Sequence, residues 1–205
     1  ITGLDGVEEC LVCGDLVVGI VDVDRETIRD ATAVLPDGAD MLDVIERWEE
    51  LRLALTRNAS ALPEHPLADV RLLAPIPRPR RNIFCVGKNY RAHAIELVGT
   101  GIDHASQADA VPERPVVFSK ATTAVIGPDE EIDPHPGVTA ELDYEGELAV
   151  IIGPGGRAIP RERAFEHVWG YTILNDITAR DLQRGHQQWL LGKSLDTHCP
   201  MGPWA

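Results

Sequence analysis

The chain has 205 residues, 44% of them hydrophobic and 25% charged, which is ordinary globular usage and excludes a disordered, collagenous or coiled-coil chain. At roughly 150 residues per domain there is room for one domain and part of a second. Thirty-three Asp and Glu against 19 Lys and Arg leave a net charge of −14, which argues against a nonspecific nucleic-acid or anionic-membrane binder and for a small-molecule partner.

No apolar run approaches the ~18 residues of a membrane span. The opening Ile1-Thr2-Gly3-Leu4 has no basic or apolar signal region, so a cytoplasmic protein is expected. Leu11-Val12 and Leu16 to Val21 predict two strands around Gly14-Asp15. Cys10-x-x-Cys13 invites a zinc reading, but Cys85 and Cys199 stand alone and no second ligand pair exists, so structural cysteines are expected. Met41 to Leu55, apolar at Leu42, Ile45, Leu51 and Leu55, predicts an amphipathic helix. Pro75-Ile76-Pro77-Arg78-Pro79-Arg80-Arg81 then reads as an extended connector, because alternating prolines forbid helix. A boundary near residue 75 follows. Residues 1–75, with 16 acids and 6 bases, form a small acidic domain without evident chemistry, and residues 76–205 form the domain that carries it.

The second part reads mainly as strands, at Asn82 to Val86, Pro115 to Ser119, Leu148 to Ile152 and Trp169 to Leu174. Short helices are expected at Arg161 to His167 and at Ala179 to Leu190, the latter with Thr178 as N-cap and Asp181 as a near capping box. The glycines at 153, 155 and 156 lack the Lys-Ser/Thr pair of a phosphate loop, so nucleotide binding is disfavoured.

Chemistry concentrates in three places. If Glu141 to Val150 is one strand, Glu141, Asp143, Glu145 and Glu147 share a face opposite Tyr144, Leu148 and Val150. Such a row of carboxylates suits a hard cation, Mg²⁺, Mn²⁺ or Ca²⁺, with a solvated edge strand as the alternative. Asp176 leaves an apolar strand and enters a helix, with Arg180 and Gln183 on one helical face behind it; a surface pairing of Arg180 is the alternative. His93 and Glu96 are three residues apart in Gly87 to Glu96, so one helical turn could make a carboxylate-oriented base or an ordinary surface contact. Lys120 and Lys193 are two of only three lysines, and either could stabilise an enolate oxygen.

Across about residues 76 to 204 the chain resembles the fumarylacetoacetate hydrolase superfamily. The resemblance rests on G-K-N-Y-x-x-H-x-x-E at 87–96, D-Y-E-G-E-L at 143–148, N-D-x-T-A-R-D-L-Q at 175–183 and G-K-S-x-D-T-x-C-P-M-G-P at 192–203. It implies Glu145, Glu147 and Asp176 as ligands of a divalent metal, Mg²⁺ first. It also implies His93 and Glu96 as a water-activating dyad on a short lid helix, Arg180 and Gln183 as substrate contacts, and Lys193 as a catalytic lysine. The implied fold is mainly β within an α+β class, a mixed β-roll with few helices behind a small N-terminal domain, usually a homodimer. Members of the superfamily continue past the final Gly-Pro motif, so a C-terminally truncated domain is expected.

The activity so implied is metal-dependent hydrolysis of a carbon–carbon bond in acylpyruvate-like β-diketo acids. His93 would activate water, and the metal with Lys193 or Lys120 would stabilise the pyruvate enolate. The same enolate chemistry serves oxaloacetate decarboxylation or tautomerisation and 2-hydroxydienoate isomerisation, and a noncatalytic metal-binding relative is a further alternative. Residues 99–113, rich in Gly and small polar types, predict a mobile lid.

Overall fold

Within the apolar run from Leu16 to Val21, Val17 to Val21 behave as a strand covered on both faces. It lies in β2 (Asp15–Asp22), antiparallel to β1 (Gly6–Val12), with Leu11 opposite Leu16. The computed structural model describes residues 6–12, 15–96, 98, 111–186 and 188–205, and of residues 6–12 and 93 the backbone alone. The Cys10–Cys13 pair therefore lies outside the described side chains. β3 (Thr27–Asp30), β4 (Glu64–Pro66) and β5 (Arg71–Leu72) complete a five-stranded antiparallel sheet in the order β4-β3-β2-β1-β5. Val17 and Val21 bury against Ile28 and Trp204, whereas Val18 and Ile20 bury against the helices.

The single helix expected from Met41 to Leu55 is two. α1 (Met41–Glu46) starts on a capping box between Asp40 and Asp43, and α2 (Trp48–Asn58) follows. Arg47 leaves helical geometry between them (φ −106°, ψ 22°), and its carbonyl accepts from the Glu50 and Leu51 amides to begin the second helix. Met41, Val44, Ile45, Leu51 and Leu55 form the buried face, as their helical spacing requires. This core reaches past residue 75, because Ile151 joins it and Trp48 meets Trp169 edge to face at 5.4 Å.

The four expected strands of the second part are present as β6 (Ile83–Gly87), β7 (Val116–Lys120), β10 (Gly146–Ile152) and β11 (Val168–Asn175). Between β6 and β7 lies α3 (Arg91–Glu96). Between β7 and β10 lie β8 (Val125–Ile126) and β9 (Leu142–Asp143). After β11 come β12 (Thr178–Ala179), α4 (Arg180–Gly185), α5 (Leu190–Lys193) and β13 (Cys199–Gly202). The main sheet has the order β10-β11-β13-β8; β13 is antiparallel to β11 and parallel to β8, so the sheet is mixed. The fold is sheet-rich with few helices, as expected. No helix among the described residues is long and apolar enough to cross a membrane.

Three local expectations need correction. Glu141 to Val150 is not one strand: β9 pairs with β12, β10 pairs with β11, and Tyr144 and Glu145 form the break, with Tyr144 exposed. Thr178 does not cap a helix by its side chain; it lies in β12 and its hydroxyl donates to the Asp176 carbonyl at 3.0 Å. Asp181 instead accepts from the Thr139 hydroxyl at 2.6 Å and the Ala140 amide at 3.0 Å, which ties α4 to the preceding loop. The helix expected from Ala179 to Leu190 ends at Gly185, where His186 turns extended, and α5 starts only at Leu190; Arg161 to His167 is the short helix expected, of 3-10 type.

Candidate active site

The site forms at one end of the β10–β11 ladder. Its register sets Gly146 opposite Asn175 and Glu147 opposite Leu174, so Glu145 and Glu147 lie beside the point where Asp176 leaves β11. Backbone bonds fix the break. The Asp176 amide donates to the Glu145 carbonyl at 2.8 Å, and the Glu145 amide donates to the Asn175 side-chain oxygen at 3.1 Å. Helices α4 and α5 then close in from one side. A Cβ at Gly192 would lie 2.7 Å from the Gln183 nitrogen and 2.9 Å from the Ala179 oxygen, so glycine permits the approach that brings up Lys193.

Lys193 is the hub. Its Nζ donates to Glu145 Oε2 and to Asp176 Oδ2, both at 2.7 Å, and sits 5.1 Å from the centre of the Phe118 ring. The other Asp176 oxygen accepts from Lys120 Nζ at 2.7 Å, and Lys120 also donates to the Ile177 carbonyl at 3.0 Å. Both ammonium groups are buried, at 0% exposure for Lys120 and 2% for Lys193. Burial of a charge costs several kcal/mol unless partners offset it, and Asp176 with Glu145 supplies the partners. Arg180 donates to Asp143 Oδ2 at 2.7 and 2.9 Å, to Glu145 Oε1 at 2.5 Å and to Gln183 Oε1 at 2.9 Å. Burial works against its charge, and the two carboxylates outweigh it, so the guanidinium pKa is raised.

A cavity of about 360 Å³ opens over this network. Its charged end is lined by Glu145, Glu147, Asp176, Arg180, Gln183 and Lys193, which are six of the nine residues expected at a site. Its other end is apolar, with Val86, Phe118, Leu148, Val150 and Trp189. Lys120 does not line the cavity; it acts from beneath by holding Asp176. His93 and Glu96 lie on α3. Glu96 is on an exposed face outside the lining, and the His93 side chain is outside the described structure. Of the expected lid, residues 99–110 lie outside the described residues.

Glu147 shows how the donor set would treat a cation. Burial raises its carboxyl pKa above the ordinary value, a hydrogen bond with Tyr90 works against that rise, and the Glu145 and Asp176 charges add to it. Carboxylate oxygens are the ligands a hard divalent ion takes, but those of Glu145 and Asp176 already accept from Lys193, Lys120 and Arg180, so an ion held here would share them with these cations. Lys193 Nζ stands between Glu145 and Asp176. Among the described residues, no group of three or more His, Cys, Asp or Glu is already gathered as a metal site.

Several contributors escaped the sequence reading. Asp143 belongs to the carboxylate row, but its partner Arg180 is 37 residues away and only the β9–β12 pairing unites them. Lys88 and Tyr90 line the cavity, and the signal for both was their place in the G-K-N-Y motif beside the dyad. Cys85 also lines it, and burial pushes its thiol pKa up to about 12.

Comparison with known proteins places this architecture. The family described as "Fumarylacetoacetate (FAA) hydrolase C-terminal" matches residues 82–205. Oxaloacetate tautomerase YisK of Bacillus subtilis (strain 168) is 55% identical over 139 residues, covering 68% of this chain and 44% of the relative. Among solved structures, a fumarylacetoacetate hydrolase from psychrophilic Exiguobacterium antarcticum superposes with a TM-score of 0.76 at 39% identity, over 97% of this chain and 65% of that one. Maleylpyruvate hydrolase from Sphingobium sp. SYK-6, in complex with manganese(II) and pyruvate, superposes with a TM-score of 0.73 at 30% identity, over 97% of this chain and 66% of that one. The chain spans about half the length of the curated relatives it matches and about two thirds of these structures. By motif order, family match and fold, the chain belongs to the fumarylacetoacetate hydrolase family.

Proposed function

We propose that this protein is an enol–keto tautomerase of oxaloacetate, an isomerase rather than the hydrolase that the motifs alone suggested. The observation that carries this reading is the 55% identity to a relative named for that activity. The motif residues Glu145, Glu147, Asp176, Arg180, Gln183 and Lys193 share one cavity, which is the machinery the reaction needs. Tautomerisation moves one proton between the enol oxygen at C2 and carbon C3, and requires no attacking water.

Glu145, Glu147 and Asp176 would hold a divalent ion, Mg²⁺ or Mn²⁺, whose chemistry is to polarise a carbonyl oxygen. Lys193, fixed by two carboxylates at 2.7 Å, places positive charge where an enolate oxygen develops, and being already oriented it needs no reorganisation. Arg180 holds the Gln183 oxygen at 2.9 Å, which leaves the Gln183 amide NH₂ to bind a substrate oxygen. His93, with Glu96 one turn on, is the proton carrier at C3. Phe118 and Trp189, edge to face at 5.3 Å, wall the apolar end against water. A homodimer acting in the cytoplasm goes with this reading.

One observation favours a second reading, hydrolysis of an acylpyruvate-like acid: the structural neighbour named a maleylpyruvate hydrolase. The deciding assay follows enol-oxaloacetate decay, pyruvate release from an acylpyruvate and carbon dioxide release from oxaloacetate, with Mg²⁺ or Mn²⁺ present. Accelerated enol decay that is lost in Asp176→Ala is expected. Pyruvate release without enol decay would establish the hydrolase instead, carbon dioxide alone the decarboxylase, and background rates in all three a noncatalytic binder.

A further inference from the structure

Lys120 ends β7 and Lys193 ends α5, and between them they hold both oxygens of Asp176, Lys120 Nζ on Oδ1 and Lys193 Nζ on Oδ2, each at 2.7 Å. The residues that follow the two lysines meet as well. The Ala121 amide donates to the Ser194 hydroxyl oxygen at 3.0 Å, across 73 residues of sequence. Ala121 has left the β6–β7 ladder, whose outermost pair is Ile83 with Lys120, and Ser194 is the residue at which α5 stops. One hydrogen bond therefore joins the two element ends from which the ammonium groups reach Asp176.

A lysine ammonium rides on a flexible four-carbon stem, so it stays on one chosen oxygen only while its backbone is held. Lys120 is tied to the segment after Asp176 by its second bond, to the Ile177 carbonyl at 3.0 Å. α5 has no strand to hold it. Gly192 packs it against Gln183 and Ala179, and toward β7 it has the Ser194–Ala121 bond and the 5.1 Å contact of Lys193 with the Phe118 ring. A contact with a ring face tolerates sliding, whereas a hydrogen bond weakens steeply once lengthened or bent. Ser194 is half-buried, joins none of the three buried apolar clusters among the described residues and does not line the cavity. What it contributes is placement.

We propose that Ser194 is a positioning residue: its hydroxyl sets α5 against the end of β7 and so fixes the spacing of the two ammonium groups on Asp176, which fixes the direction that this carboxylate presents to the cavity. The catalytic consequence rests on the tautomerase reading; the hold on Asp176 does not. A displacement of about 1 Å can cost on the order of 100-fold in rate, and outer partners of an ion-holding carboxylate are worth about 10- to 100-fold in metal affinity or activity.

The test compares the wild-type protein with Ser194→Ala, Ser194→Thr, Lys120→Met and the Ser194→Ala/Lys120→Met double variant. Thermal melts establish that each is folded, and Asp40→Ala, at the start of α1, controls for a general loss of stability. Ser194→Ala is expected to speed hydrogen exchange at the Ala121 amide and to weaken Mn²⁺ binding in calorimetry about 10-fold. It should also lower kcat for enol-oxaloacetate at saturating Mn²⁺ with little change in KM, because the displaced ammonium acts on charge that develops after binding. Ser194→Thr, which keeps the hydroxyl, is expected to restore Mn²⁺ affinity. In the Lys120→Met background one ammonium is gone, so adding Ser194→Ala should weaken Mn²⁺ binding by less than it does alone. Mn²⁺ affinity in Ser194→Ala no lower than in Asp40→Ala, full additivity with Lys120→Met, a kcat that stays at the wild-type value, or weak binding in a Ser194→Thr protein whose Ala121 amide is again protected each overturns the proposal. Weakened, non-additive Mn²⁺ binding in a protein whose wild-type form leaves enol-oxaloacetate untouched would sustain the Ser194 role and refute the tautomerase reading.

Discussion

Glu145, Asp176, Arg180 and Lys193 at the cavity are held by charges of the opposite sign contributed from distant parts of the chain. Lys120 and Asp176 are 56 residues apart and nearly excluded from water. Lys120→Met removes a buried charged donor while Asp176 keeps Lys193 at 2.7 Å, so unfolding stability should fall by about 1.5–3 kcal/mol, the scale of a hydrogen bond to a charged group. Adding Asp176→Asn should recover part of the loss, and urea titrations of the two variants read this directly; no recovery would mean that the pair is not the dominant effect. His198 is a second buried titratable residue, fully buried, with Nε2 bonded to the Asp133 carbonyl at 3.1 Å and Nδ1 without a partner among the described groups. Burial lowers its pKa most, while the Asp133 carbonyl and carboxylate raise it and the facing His135 and Lys120 lower it further. The unfolded chain therefore takes up a proton below about pH 6.5 while the folded protein does not. The stability from His198 is fully present above that pH and is lost as pH falls toward the lower folded value. Between pH 7.5 and 5.5 the wild-type protein should lose more stability than His198→Phe, as denaturant midpoints at both pH values will report.

Elements meet at this site through close backbone packing as well as through charge. α5 can present Lys193 because Gly192 lies against the backbone of Gln183 and Ala179. Neither backbone contact can rotate away, so Gly192→Ala must push α5 from α4. A loss of a few kcal/mol, the scale of overpacking in a close-packed region, is expected in thermal melts, together with weakened Mn²⁺ binding as Lys193 shifts. α1 offers a control far from the cavity. Its Asp40 capping box satisfies the Asp43 amide at 2.9 Å, and Asp40→Ala should cost about 1 kcal/mol with no change in metal affinity.

For the whole molecule, the N-terminal sheet and the cavity-bearing part share their interior. Val18, Ile20, Met41 and Leu55 from one side of residue 75 bury with Ile151 from the other, and Trp204 packs onto Val17, Val21 and Ile28. A fragment of residues 76–205 would expose Ile151, Trp169 and Trp204 to water. It should therefore melt well below the full chain and bind an apolar dye at temperatures where the full chain does not. A fragment with the full chain's melting temperature would show that the boundary near residue 75 separates two independent folding units.

The sequence by itself determined the strands and the chemistry's inventory. Apolar runs such as Leu16 to Val21 and Leu148 to Ile152 predicted strands, although in the second only Ile151 is buried, and ordered motifs named the residues that the cavity gathers, because both depend on neighbours in the chain. Only the tertiary structure decided who pairs with whom. It broke the carboxylate row at Tyr144 and Glu145, since β9 and β10 hydrogen-bond to different partners. It moved Lys120 from the cavity to the support of Asp176, and joined Asp143 to Arg180 across 37 residues. Local sequence carries propensity and periodicity; which buried charge meets which counter-charge depends on contacts between distant segments, and those exist only once the strands have docked.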